Sequence, residues 1–202
     1  MHATPAHERK VHDRLNPFGV KMRESRDSDV NPVTLPIAIQ LDETGSMSQV
    51  PVTVQKELCK LFGLLVRQGW AKHPAVMVMA NGDARNPERE AAPLQVGQFE
   101  SGNEIEEDLM DLYLERKGGG NPGETYELGM YFVARHTVTD AWEKRQEKGF
   151  YFIVGDEPFF HDVSQENIKR IIGDDVQADI PTTDIVRELQ EKWNVFFIIP
   201  NM

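Results

Sequence analysis

The sequence predicts an α/β fold: a doubly wound, mainly parallel sheet with one antiparallel edge strand and helices on both faces. Three observations carry that expectation. Short apolar runs at 33–41, 75–80, 150–154 and 195–199 have the length and composition of strands buried on both sides. Segments with a helical period lie between them, and strands alternating with helices wind into a parallel sheet. Asp42 and Asp156 each stand just past the carboxyl end of an apolar run, where open α/β sheets bind their ligands.

In chain order, residues 1–30 are polar and without a period, and read as an N-terminal arm ahead of a domain spanning 31–202. The arm is locally basic, so it is expected to lie on the domain's acidic surface or to reach a neighbour. His2, His7 and His12 stand five apart, which on a helix sets them on diverging faces rather than around one metal. After the strand at 33–41, residues 50–68 read as a helix with Val54, Leu58, Leu61, Phe62 and Leu65 on one face and Gly69 as its stop. Ala75–Ala80 is the second strand, broken by Asn81-Gly82-Asp83, where Asp83 reads as a turn residue. Pro93–Phe99 alternates apolar and polar residues and reads as a half-exposed edge strand. Residues 103–116 form an acidic amphipathic helix with Ile105, Leu109, Leu112 and Tyr113 inward. A glycine-rich stretch at 118–123 opens a long helix expected over 124–148. Strand 150–154, helices 164–172 and 182–193, the latter capped by Thr182 or Thr183, and strand 195–199 follow. The chain stops at Met202, directly after a strand. The expected alternatives are a fragment, a fold trimmed at its C-terminus, or one that a partner completes, with any uncovered strand edge an association site.

Composition narrows the function. A net charge of -11 repels phosphate backbones, so no nucleic-acid partner is expected. No apolar run is long enough to span a membrane, so none is expected as a partner. The single cysteine, Cys59, excludes an internal disulfide and favours a reducing, cytoplasmic setting, with Cys59 itself a small core residue.

Three motifs carry chemistry. Pro36–Met47 reads PIAIQLDETGSM. Asp42 supplies charge, Thr44 and Ser46 present hydroxyls at alternate positions, and Gly45 lets the backbone turn. Such hard oxygen donors suit Mg²⁺, Mn²⁺ or Ca²⁺ rather than Zn²⁺. The competing reading is a strand-to-helix turn capped by Ser46 or Ser48. Lys117–Tyr126 reads KGGGNPGETY, nearly a phosphate-binding loop, but Glu124 stands where the phosphate-holding Lys belongs. Its oxygen donors are Asn121, Glu124 and Thr125, and helix capping is the plainer alternative. Ile153–His161 reads IVGDEPFFH, with Asp156 after the strand, Glu157 on the rim and His161 a surface residue. Of the adjacent Phe159 and Phe160, one is expected in the core and one exposed.

In this order the three motifs resemble the metal-ion-dependent adhesion site of von Willebrand factor A domains, with Thr44 in place of the first Ser of Asp-x-Ser-x-Ser. The resemblance spans roughly 33–200 and makes 31–202 a von Willebrand A-like domain. It implies a metal site of Asp42, Thr44, Ser46, Asn121, Thr125 and Asp156. Thr125 is the first choice in the second motif, where Asn121 replaces an Asp found in one subgroup and Pro122-Gly123 is reversed. It also implies a bound Mg²⁺, or Mn²⁺ or Ca²⁺, whose open position is completed by an acidic residue of a protein partner. The expected function is therefore an adaptor or assembly module, not an enzyme. One alternative is a scaffold subunit with a vestigial site. Another is a metal-dependent phosphoester hydrolase. Asp42 after a strand resembles the nucleophile of haloacid dehalogenases, but Thr44 stands where their acid belongs.

Overall fold

The computed structural model describes residues 11–47, 49–85, 92–114 and 123–200, with the side chain of Cys59 outside that description. The expectations for His2, His7, Ser48, Cys59 and Asn121 thus lie outside the described residues. The elements follow the chain as β1 (Arg23–Ser25), β2 (Leu35–Asp42), α1 (Val50–Arg67), β3 (Pro74–Asn81), β4 (Leu94–Val96), α2 (Glu104–Asp111), α3 (Tyr126–Arg135), β5 (Thr137–Thr139), α4 (Asp140–Arg145), β6 (Gly149–Val154), β7 (Asp162–Val163), α5 (Gln165–Asn167), β8 (Ile180–Pro181), α6 (Thr182–Lys192) and β9 (Trp193–Ile198).

The apolar runs become the strands of one sheet, in the order β4-β3-β2-β6-β9. Every pairing is parallel except β3 with β4, so the expected doubly wound class with one antiparallel edge strand is what forms. The two faces carry separate cores. On one, Ala38, Met77, Met79, Tyr151 and Ile153 pack under α3 and α6 through Leu128, Phe132, Ile185 and Leu189. On the other, Ile37, Ile39, Leu41, Val76 and Val78 pack under α1 and α2 through Leu58, Phe62, Ile105 and Leu109. Covering both faces explains why β3 is buried along its whole length. Burial of each such large side chain is worth roughly 1.5–3 kcal/mol.

Four sequence expectations change. The helix expected over 124–148 is broken: β-branched Thr137-Val138-Thr139 leaves the helix as β5, pairing in parallel with β1. Thr139 then caps α4 by accepting from the Trp142 N–H. The edge strand β4 is fully buried rather than half-exposed. Its covering comes from the N-terminal segment, where the Arg23 guanidinium donates to the Val96 carbonyl at 2.9 Å. Leu61, expected inward on α1, is 44% exposed, whereas Leu58 and Phe62 are buried. The Thr182 hydroxyl does not cap α6. It donates to the Phe160 carbonyl at 2.8 Å and ties the helix start to the loop after β6.

Residues 11–30 lie on the acidic surface of the domain. Leu15 is fully buried in the α1/α2 core. Arg14 pairs with Glu107 and Asp108, each at 2.8 Å. Arg26 pairs with Asp140 and Glu143, and Arg145 with Asp27 at 2.7 Å.

Candidate metal centre

The chain leaves β2 for β3 on one side and reaches β6 on the other, so the topological switch point lies between β2 and β6. Asp42 ends β2, and Asp156 lies two residues past β6. Both loops therefore converge on the crevice where such sheets hold ligands.

The geometry is a chain of oxygens across that crevice. Asp42 Oδ1 accepts from the Thr44 N–H at 2.8 Å and the Thr44 hydroxyl at 2.6 Å. Thr44 Oγ1 lies 3.1 Å from Ser46 Oγ, and Ser46 Oγ lies 3.1 Å from Asp156 Oδ1. At the far end, the Tyr126 phenol donates to Asp42 Oδ2. Gly155 makes this reach possible, because a Cβ there would collide with the Tyr126 ring and hydroxyl. The segment Gly45–Met47 forms a single 3-10 turn that aims the Ser46 hydroxyl at Asp156.

Burial sets the electrostatics. Asp42 is fully buried, and desolvation raises its carboxyl above the ordinary range, helped by the Asp156 charge and opposed by the Thr44 and Tyr126 hydrogen bonds. Burial, then the Asp42 charge, pushes the Tyr126 phenol well above its usual value, so it stays a donor.

Protons run short in this chain. Thr44 gives its one hydroxyl proton to Asp42. Ser46 then has one proton for two acceptors, Thr44 Oγ1 and Asp156 Oδ1. With both carboxylates ionised, one of those approaches is oxygen against oxygen with no hydrogen between. Adjacent ligands of an octahedral cation at about 2.1 Å lie about 3.0 Å apart, close to both 3.1 Å separations. The donor set thus fits a small hard cation in both spacing and charge.

Four of the six expected ligands, Asp42, Thr44, Ser46 and Asp156, are joined in this way. Thr125 is buried, and its hydroxyl donates to the Gly82 carbonyl at 2.7 Å and accepts from the Ala84 N–H at 3.0 Å. It pins the loop after β3, and one lone pair remains. Asn121 lies outside the described residues. Glu124 is buried, and its N–H donates to the Pro158 carbonyl at 3.2 Å, zipping the second motif to the third. Asp83 accepts from the Arg85 N–H at 2.9 Å, as a turn aspartate does. His161 is exposed. Phe159 is exposed, while Phe160 is half-buried beneath the Arg85 guanidinium at 3.8 Å. Among the described residues, no group of three His, Cys, Asp or Glu side chains gathers around a common point. Any cation here depends on hydroxyls.

Sequence reasoning missed the layer beneath. Gln40 interrupts the apolar strand, and its amide donates to Asn81 Oδ1 at 2.7 Å and to the Tyr126 carbonyl at 3.3 Å. The Tyr151 phenol donates to Gln40 Oε1. Glu43, also buried, accepts from the Gln95 amide at 3.1 and 3.2 Å and so turns away from the crevice. A lone Gln inside PIAIQLD was the available signal, since a buried amide needs partners.

No protein-family model matches the chain, and no curated protein matches it. Solved structures that are similar in part include the following three. Two are crystal structures of the pilus adhesin SpaC from Lactobacillus rhamnosus GG. The first is 11% identical with a TM-score of 0.47, covering 70% of this chain and 17% of the adhesin. The second, in an open conformation, is 9% identical with a TM-score of 0.48, covering 88% and 29%. The third is the SpRpn10 VWA domain, 12% identical with a TM-score of 0.43, covering 84% of this chain and 90% of that domain. The chain thus spans less than a third of the adhesin chains it matches.

Proposed function

We propose that this protein is a binding module whose Asp42–Thr44–Ser46–Asp156 crevice holds a divalent cation, Mg²⁺, Mn²⁺ or Ca²⁺, and engages an acidic residue of a protein partner. The observation that carries the reading is the proton shortage at Ser46, at oxygen spacings that suit octahedral coordination. When bound, the cation supplies positive charge and an open coordination position for a partner carboxylate. Asp42 and Asp156 provide at most two negative charges, so the site retains attraction for an acidic group. Tyr126 fixes the Asp42 carboxylate by donating to its second oxygen. Thr125, through its remaining lone pair, and Asn121 complete the donor set in this reading. The protein acts as an adaptor or assembly subunit rather than an enzyme. The proposed setting is cytoplasmic, resting on the single cysteine. Among the described residues, no helix is long and apolar enough to cross a membrane.

The second reading, a scaffold with a vestigial site, is favoured by one observation: both Asp42 oxygens already accept protein hydrogen bonds. Thermal unfolding separates the two. A cation that binds only the folded chain adds about 2.7 kcal/mol at a hundredfold excess over Kd. At roughly 2–4 °C per kcal/mol for a chain of this size, that is a rise of about 5–10 °C over the EDTA-treated protein. Asp42→Ala should show no rise. A wild-type protein indifferent to all three cations leaves the scaffold reading.

A further inference from the structure

His136 ends α3, and its ring is buried where the N-terminal segment crosses the domain. Both ring nitrogens face acceptors. Nδ1 lies 2.9 Å from the Val20 carbonyl and 3.1 Å from the Lys21 carbonyl. A carbonyl has no proton to give, so Nδ1 donates. Nε2 lies 2.7 Å from Asp174 Oδ2, which also accepts from the Tyr131 phenol at 2.6 Å. Burial raises the Asp174 carboxyl, but the Tyr131 and His136 hydrogen bonds outweigh it and hold the group below its usual value. Asp174 is therefore an anion, and Nε2 donates as well. A histidine that donates from both nitrogens is an imidazolium. Its place suits a cation, because the C-terminal end of a helix carries partial negative charge. Phe132, stacked on the ring with centroids 4.9 Å apart, fixes its plane. The other charges around it are engaged elsewhere. Arg135 pairs with Glu188 of α6 at 2.7 Å, and Asp175 with Lys169 at 3.2 Å. The Arg23 guanidinium donates to the Arg14 and Val96 carbonyls, and Lys21 is exposed.

We propose that His136 is a proton-dependent latch: as an imidazolium it fastens residues 17–25 to α3 and to the Asp174 loop, and on losing a proton it lets that segment loosen from the β4 edge. The backbone around the ring makes the junction. The Gly19 N–H donates to the Ile172 carbonyl at 2.8 Å, beside Asp174. The Arg23 N–H donates to the His136 carbonyl at 2.8 Å, where the β1–β5 ladder begins. Arg23 in turn covers β4 through Val96. Loss of either ring proton sets a nitrogen lone pair against an oxygen, at Val20 and Lys21 on one side or at Asp174 on the other. Histidine is the side chain whose charge changes between about pH 5 and 8. The charged form makes every contact, so the latch is closed on the acid side of that window and loosens as pH rises.

Residue-resolved amide exchange on the full chain from pH 5 to pH 8 tests this. After correction for the pH dependence of the chemical exchange step, the Gly19 and Arg23 amides should lose protection about tenfold or more as pH rises, the scale of a hydrogen bond to a charged group. Nitrogen-15 signals of the His136 ring should show two protonated nitrogens at pH 5 and one above the same transition. His136→Gln should leave both amides weakly protected at every pH and abolish the transition. Asp174→Asn removes the anionic acceptor and should move the transition to lower pH. If His136→Gln does not fold, the ring signals and Asp174→Asn still decide. Protection of Gly19 and Arg23 that stays constant from pH 5 to pH 8 overturns the proposal. So does a His136 ring with an unprotonated nitrogen at pH 5. A transition that persists in His136→Gln overturns it too, and assigns the effect to another group such as His12, 3.4 Å from Asp111.

Discussion

The two edges of the central sheet meet water in opposite ways. The β4 edge is closed by the chain's own N-terminal segment, through buried Leu15, the Arg23 bond to Val96 and a clasp of ion pairs. The β9 edge is uncharged, pairs with no further strand among the described residues, and is exposed over its last three residues, Phe196–Ile198. A polar strap can release from water reversibly and still satisfy backbone groups, whereas an uncharged apolar edge gains only by being covered. The difference teaches that closure of a sheet edge is read from its neighbours in space, not from the strand's own pattern. β4 alternates like an exposed strand and is buried, while β9 reads as a buried strand and is exposed over its last three residues.

The closed edge can be broken hardest at Leu15. Leu15→Ala removes a fully buried side chain beneath the strap and should cost about 2–5 kcal/mol, measured by urea unfolding. A cost under about 0.5 kcal/mol, the level of a surface change, would mean that the strap contributes little to the core.

A smaller effect tests the ionic clasp. Burial by itself raises the Asp140 carboxyl, but hydrogen bonds from Lys144, Arg26 and the Asp27 N–H outweigh it and hold the carboxyl well below the ordinary range. A depressed folded value stabilises the protein above the unfolded value near 3.9, and this contribution is lost as pH falls below it. Asp140→Asn should therefore cost about 1–3 kcal/mol at neutral pH. The gap between variant and wild type should close as pH falls below about 4. A gap that stays constant with pH would show that the clasp acts through packing rather than charge. The β9 edge has no titratable side chain from Trp193 to Met202 and supplies the pH-independent contrast.

The smallest effect belongs to that open edge. In dilute protein, Ile199→Ser should change stability by less than about 0.5 kcal/mol, because Ile199 is already 72% exposed. Calorimetry showing a larger loss would place Ile199 in a contact within the single chain.

Much of the candidate site was legible because its signals are local. Asp42, Thr44 and Ser46 lie within five residues, and a strand followed by a tight turn leaves them little choice but to face one crevice. Asp156 could be placed as well, since parallel strands end on the same side of the sheet. Tyr126, Gln40 and Glu43 could not be assigned. Each is a polar residue in an apolar setting whose partner comes from another strand, and no sequence spacing reports which one. The break after Arg135 was hidden for a similar reason. Thr137–Thr139 leaves the helical pattern only because β1, over a hundred residues earlier, offers it a ladder.

By itself, the sequence determined the alternation of strands and helices, the parallel sheet, and the convergence of Asp42 and Asp156, because hydrophobic period and strand polarity are local properties of the chain. Tertiary structure alone decided which edge is covered, where the Thr125 hydroxyl points, and that a phenol completes the shell of Asp42. Those outcomes depend on distances between segments far apart in sequence, and burial and hydrogen bonding are set only once the segments meet.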